Sequence, residues 1–203
     1  MDWTRVALVS GVMILVLLAI ERRAPLRRPT RPLLGRLLVN AGISSITFAA
    51  AMLLVRPAAT RVLTWGAATQ SGLIHLVPMP AAAQFILSFL LMDLTFYWWH
   101  VANHRVRFLW RFHNVHHIDP DLDVSTAFRF HAGEVALSAG FRILQIGAIG
   151  PSAAMFAAYE LVFQANTLVH HSNIRLPIGL ERALNLFIVT PRMHGIHHSQ
   201  VRD

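Results

Sequence analysis

Hydrophobic and polar positions divide this 203-residue chain into five apolar stretches separated by short, arginine-rich polar segments. The stretches run Val6–Ile20, Leu37–Val55, Ala81–Trp99, Val135–Gly150 and Ser152–Val169. A membrane-spanning helix needs about 20 apolar residues. The second, third and fifth stretches meet that length. The first meets it only with Trp3 in the interface, and the fourth is short and carries Arg142. Gly150–Pro151 separates the last two, because proline removes a backbone donor and glycine permits the turn, so the pair reads as a helical hairpin. The pattern predicts an all-α fold, a polytopic membrane helical bundle. The N-terminal run has no basic segment ahead of it and no small-x-small cleavage site after it, so it reads as a retained helix rather than a signal peptide. Pro25, Pro29 and Pro32 predict a stiff loop after it. Residues 57–80 read as a mixed loop in which His75 is an ordinary surface residue.

Composition strengthens the membrane reading. The chain is 55% hydrophobic and 14% charged, with mean hydropathy +0.49, whereas soluble domains carry about 25% charged residues. Disorder is excluded on the same grounds. The absence of cysteine excludes disulfides, a Cys-based zinc finger, an iron–sulfur cluster and a thiol nucleophile. All 18 basic residues are arginine. They lie between apolar runs, so topology explains them better than nucleic acid does, and no nucleic-acid partner is expected. Residues 21–36 hold six arginines, 100–134 hold four and the segment after Val169 holds four. Alternation across the helices places these fourteen on one side, against Arg5, Arg56 and Arg61 on the other. The bias makes the first side cytoplasmic. The lysine-free, Ala- and Arg-rich composition suits a GC-rich bacterial genome, and the expected location is the inner membrane.

The same topology gathers the histidines. Eleven of twelve fall between His100 and His198. His100 and His104 are four apart at the end of the third apolar helix, and residues at that spacing share a helix face. His113, His116 and His117 have i, i+3, i+4 spacing, repeated in His194, His197 and His198. His170 and His171 end the fifth apolar stretch. Neutral imidazole is the commonest metal ligand among side chains, and this many exceeds what one ion requires and suits two. A lone pair of this kind would be surface decoration; the repeated set on one membrane face is not. For His131, ligation and a supporting role stay equally open. Structural zinc sites close with four ligands, commonly including cysteine, and haem takes single axial histidines. Two irons beside a bilayer suit O₂ activation toward an unactivated C–H bond.

The residues Asp93–His100, Phe108–His117, Arg129-Phe130-His131 with Glu134, His171-Ser172-Asn173 and Thr190–Ser199 together resemble the fatty acid hydroxylase/sterol desaturase superfamily of integral membrane non-haem di-iron oxygenases. The resemblance spans roughly residues 90–199. It implies metal ligation by His100, His104, His113, His116, His117, His194, His197 and His198, with a contribution from His170 or His171. Related desaturases carry an Asn-x-x-x-His pair here, matched by Asn166 and His170. It further implies two iron ions, O₂, a membrane lipid substrate such as a fatty acyl chain or sterol, and an external electron donor: a reductase, ferredoxin or cytochrome b5-like protein. No flavin or nicotinamide motif is present in the chain. The expected organisation is an N-terminal transmembrane region with the Arg-rich loop (1–89) and a catalytic domain with a histidine-rich cytoplasmic cap (90–203). Family members usually continue beyond the third histidine cluster, so a fragment or a short member is expected. Val101-Ala102-Asn103 also replaces a more usual arginine-containing spacer.

Ligating histidines usually donate their other N–H to a carboxylate or carbonyl. Asp93, Tyr97, His100 and His104 form one stripe, and Glu160, Gln164, Thr167 and His171 another. Asp93, His131, Glu134, Glu160 and Asn166 are therefore candidates to support the ligands from behind. Asp119, Asp121 and Asp123 read as a solvated acidic turn. The short His-x-x-x-His motif of His100 and His104 resembles the hydroxylase/sterol oxidase branch more than the acyl desaturases, which implies hydroxylation over desaturation. The competing reading is a zinc hydrolase using the same histidines with Glu134 or Glu160 as general base. A transporter would place ligands along a mid-membrane path instead.

Overall fold

The structure is a computed structural model describing residues 3–199, with side chains from Leu8 onward. Arg202 and the side chains of Trp3 and Arg5 lie outside the described residues. The chain forms α1 (Trp3–Arg23), α2 (Leu33–Ala50), α3 (Arg56–Thr69), α4 (Ala81–Arg105), α5 (Arg107–His117), α6 (Ala132–Ile149), α7 (Ala153–His171), α8 (Ile178–Leu184) and α9 (Pro191–His197). Among the described residues there is no strand, only an isolated antiparallel bridge between Pro25 and Ile174. Among the described residues, three helical segments are long and apolar enough to cross a membrane: Leu33–His75, Ala81–Arg105 and Ala132–Ile149. α7 is not among them, against expectation, because Glu160, Gln164, Asn166 and Thr167 dilute it. The short fourth stretch qualifies in its place, as α6.

A second correction concerns residues 57–80, whose first half is helix rather than loop. α2 passes into α3 through a π-helical stretch, Ala51–Val55, in which Arg56 N–H donates to the Ala51 carbonyl. Pro57 has no N–H and its ring crowds the preceding turn. The wider π turn lets the helix continue past it. α3 ends at Gln70, in the left-handed region at φ 52°.

The chain divides into two compact units. One comprises residues 45–115 and 130–160. In it, α3, α4 and the π stretch pack on α6. Trp99 stacks on Phe141 at 4.7 Å and its Nε1 donates to Ser138 Oγ at 3.0 Å. Buried Gln145 donates to the Met92 carbonyl at 2.7 Å. Arg142, within α6, pairs with Glu160 at 3.2 Å and lies over the Phe96 and Tyr159 rings. The expected turn between α6 and α7 is present, with Gly150 at φ 77°. Gly72, at φ 117°, abuts it so closely that a Cβ there would lie 2.5 Å from Gly150 Cα.

The other unit comprises the described residues up to 44, with 116–129 and 161–199. Its core is Val124, Ala127 and Leu168, against Met13, Ile14, Leu17 and Leu18 of α1. A polar assembly surrounds this core. Glu21, buried at the end of α1, accepts from Asn173 N at 2.9 Å and Val124 N at 3.2 Å. Arg36 donates to both Asp119 oxygens at 3.0 and 2.9 Å, to Asp123 and to the Asp121 carbonyl. Asp121 accepts from Thr30 N at 2.9 Å and Arg31 N at 2.8 Å. Asp123 also caps the 3-10 turn Val124–Phe128. Asp119, Asp121 and Asp123 are therefore a buried clamp and not a solvated turn. Burial opposes ionisation of Asp119, but hydrogen bonds from Arg36 and Asn40 outweigh it and hold its carboxyl below the usual range.

Candidate metal centre

Each histidine cluster sits at a helix end, where the sequence stops one helix and starts another. α4 ends after His104 because Val106 is extended, at φ −90° and ψ 113°. α9 begins at Pro191, whose missing N–H is harmless in a first helical turn. Its seven residues carry His194 and His197, with His198 immediately after.

In the second unit, His116, His171, His194 and His198 place one ring nitrogen each within 4.8 Å of one another. His171 Nε2 lies 3.0 Å from His116 Nε2 and 3.0 Å from His194 Nε2. The opposite ring nitrogens explain why this matters. His171 Nδ1 lies 2.8 Å from the Thr167 carbonyl, and His116 Nδ1 lies 3.3 Å from the Arg129 carbonyl. A carbonyl only accepts, so both Nδ1 atoms carry the proton and both Nε2 atoms present lone pairs. Two lone pairs facing each other at 3.0 Å repel unless a cation lies between them. With metal–nitrogen bonds of about 2.1 Å, neighbouring ligand nitrogens are about 3 Å apart, so the spacing fits a metal ion. His194 is held neutral by burial and by neighbouring His171, His170, His198 and His116, which push its pKa well below the ordinary range. A neutral ring is the form that binds metal.

His117, His197 and His198 form a further group within 4.8 Å, with the His117 and His198 rings stacked at 4.0 Å. His170 packs its ring 4.1 Å from that of His194 but joins no such group among the described residues; His171 does. Asn166 Oδ1 is buried with no hydrogen-bond partner. In the first unit, His104 Nε2 lies 3.2 Å from His113 Nε2, and the His100 ring is 4.8 Å from His104 and 5.1 Å from His113. Glu134 Oε1 lies 2.7 Å from His113 Nδ1, again directing Nε2 outward as a lone pair. His131 serves as N-cap of α6, its Nδ1 accepting from Gly133 N at 2.9 Å. Glu160 is engaged by Arg142, and Asp93 is exposed on α4.

Two contributions escaped sequence reasoning. The carbonyls of Thr167 and Arg129, which set ring tautomers, are backbone groups with no side-chain signal. Gly195, between His194 and His197, is there because Arg27 presses against it: a Cβ would lie 1.8 Å from Arg27 Nη1. Its place inside the histidine motif was the only hint.

The fatty acid hydroxylase family profile matches residues 85–203, and the chain belongs to that family. It is 30% identical over 122 residues to ornithine lipid hydroxylase OlsE of Rhizobium tropici, covering 60% of this chain and 36% of that protein. It is 26% identical over 149 residues to a cholesterol 25-hydroxylase-like protein of Caenorhabditis briggsae, covering 72% and 49%. It is 30% identical over 118 residues to alkylglycerol monooxygenase of Homo sapiens, covering 57% and 25%. The matched stretch thus spans less than half the length of these relatives. No solved structure matches the chain.

Proposed function

We propose that this chain carries the catalytic centre of a membrane-bound, di-iron, O₂-dependent lipid hydroxylase. The observation that carries the reading is the pair of Nδ1-protonated rings, His116 and His171, whose Nε2 lone pairs face each other at 3.0 Å beside His194. Lipid hydroxylation by the named relatives supports the substrate class. In the second unit His116, His171, His194 and His198 would hold one iron, with His117 and His197 in the adjoining histidine group, and in the first unit His100, His104 and His113 would be ligands for another. Bound iron would supply the oxidation of an unactivated C–H bond with O₂, drawing electrons from an external reductase, ferredoxin or cytochrome b5-like donor. The chain's own groups orient and exclude. The Thr167 and Arg129 carbonyls and Glu134 fix ring tautomers, and the buried surroundings of His116, His171 and His194 keep bulk water from the reacting carbon. The apolar helices would let a lipid enter laterally. On this reading residues 90–203 form the catalytic part, residues 1–89 anchor it, and the histidines face the cytoplasm of a bacterial inner membrane. The hydrolytic alternative loses ground because Glu160 is paired with Arg142 and Glu134 is bonded to His113.

The test is lipid extraction from cells with and without the full-length gene. A new lipid at +16 mass units that disappears in His116→Ala is the expected result. A product at −2 would reassign the chemistry to desaturation, and O₂-independent turnover would reject the oxygenase reading.

A further inference from the structure

The second unit contains a cleft of about 420 Å³, of the size that small ligands occupy. Its wall includes Arg22, Arg27, Arg28 and Arg36 together with the three aspartates of the clamp. Four arginines against three aspartates leave the lining one net positive charge. Arg36 is consumed by Asp119 and Asp123, and Arg22 by Asp123 and Glu21. Asp121 is turned to the backbone of Thr30 and Arg31. Arg27 and Arg28 have no carboxylate paired to them among the described residues, so the cleft holds two guanidinium groups outside any ion pair.

Arg27 is also held in place. Asn173 Oδ1 accepts from Arg27 N at 2.9 Å, and Asn173 Nδ2 donates to Arg27 O at 2.8 Å. Leu26 N and Arg175 N extend that clamp with bonds to the Asn173 and Ala24 carbonyls at 2.7 and 2.9 Å. The guanidinium then lies against Gly195 with one donor, Nη2, spent on the Pro191 carbonyl at 3.3 Å. Its Nε is buried with no hydrogen-bond partner. An arginine with a clamped backbone and a desolvated, unused guanidinium donor is suited to an oxyanion, which a planar guanidinium fork binds with two parallel bonds. The same cleft is lined by Gly195, His198 and Ser199, so an anion there would sit beside the histidine group.

We propose that this cleft is a phosphate-binding subsite, with Arg27 and Arg28 as its recognising groups. Its assignment to the headgroup of the lipid undergoing oxidation rests on the oxygenase reading; binding of the phosphate itself does not. Arg27 and Arg28 position a substrate here and take no part in the chemistry.

The test uses the metal-free full chain in detergent, titrated by calorimetry with short-chain phosphatidic acid, inorganic phosphate and short-chain diacylglycerol. Wild type should bind phosphatidic acid saturably and diacylglycerol not at all. Arg27→Gln and Arg28→Gln should each weaken binding at least tenfold, and Arg61→Gln, which is not part of the cleft lining, should leave it unchanged. If Arg27→Gln does not fold, Arg28→Gln decides the matter, because that side chain is exposed. Binding of inorganic phosphate without phosphatidic acid would keep the subsite and assign it a free anion. Undiminished binding in both variants, or equal loss in Arg61→Gln, would overturn the proposal. Protein that takes up iron but no phosphate would reject the subsite and leave the oxygenase reading standing.

Discussion

Replacing Arg36 with methionine tests how the loop after α5 is fixed. The guanidinium is 8% exposed and spans Asp119, Asp123 and the Asp121 carbonyl. Methionine preserves much of the apolar stem and removes every donor. Two carboxylates with side chains 3% exposed are then left without it, with Asn40 still bonded to Asp119, Arg129 3.7 Å from Asp119, and Arg22 bonded to Asp123. Removing one partner of a buried ion pair costs about 3–5 kcal/mol, because the remaining charge keeps its desolvation penalty. The residual Asn40 and Arg22 contacts place the expected loss near the lower end. At about 2–4 °C per kcal/mol for a chain of this size, the melting temperature in detergent should fall by on the order of 10 °C. Arg36→Met with Asp119→Asn should recover part of it, since one of the two buried carboxylate charges is gone. Iron retention should fall as well, because the clamp begins two residues after His117. A melting temperature within about 2 °C of wild type would refute the reasoning, since a fall that small corresponds to about 1 kcal/mol or less.

Three further outcomes follow from the same geometry. Glu134→Gln keeps a carbonyl acceptor for His113 but removes the charge, and should weaken iron binding about 10–100-fold by metal titration; unchanged affinity would show the contact is incidental. His171→Ala should abolish stoichiometric iron binding while His170→Ala retains most of it, as read by elemental analysis of purified protein; the reverse order would exchange their roles. Glu181, buried and paired with Arg192 at 2.9 Å, has opposing influences from burial, which raises its pKa, and from Arg192 and Thr190, which together hold it below the ordinary value. A depressed carboxylate stabilises the fold above its unfolded pKa and loses that contribution as pH falls through the folded value. Glu181→Gln should therefore be less stable than wild type near neutrality, with the gap closing on acidification in a pH series of thermal melts. A constant gap would contradict the assignment.

The features legible in the sequence were those with a short-range code. The apolar run of α4 leads into His100 and His104, α5 and α9 repeat one histidine spacing, and Gly150–Pro151 turns the hairpin. Residues 56–69 misled because Pro57 and two arginines look like loop, while the π turn that rescues the helix leaves no compositional trace. The acidic triplet misled for another reason. Three aspartates in five residues are indistinguishable from a solvated turn until Arg36, more than eighty positions earlier, is known to reach them. Glu160 shared a helical stripe with His171, yet its carboxylate is taken by Arg142, a partner the stripe could not reveal. The tautomer-setting carbonyls of Thr167 and Arg129 belong to the backbone, and only coordinates could assign them.

The central claim is that these imidazoles share metal ions, and iron K-edge X-ray absorption of iron-loaded, detergent-purified protein tests it most directly. The account predicts a nitrogen-rich coordination shell with the multiple scattering of several imidazoles, diminished in His171→Ala and in His194→Ala. Iron without imidazole scattering, or a spectrum that both substitutions leave unaltered, would contradict it.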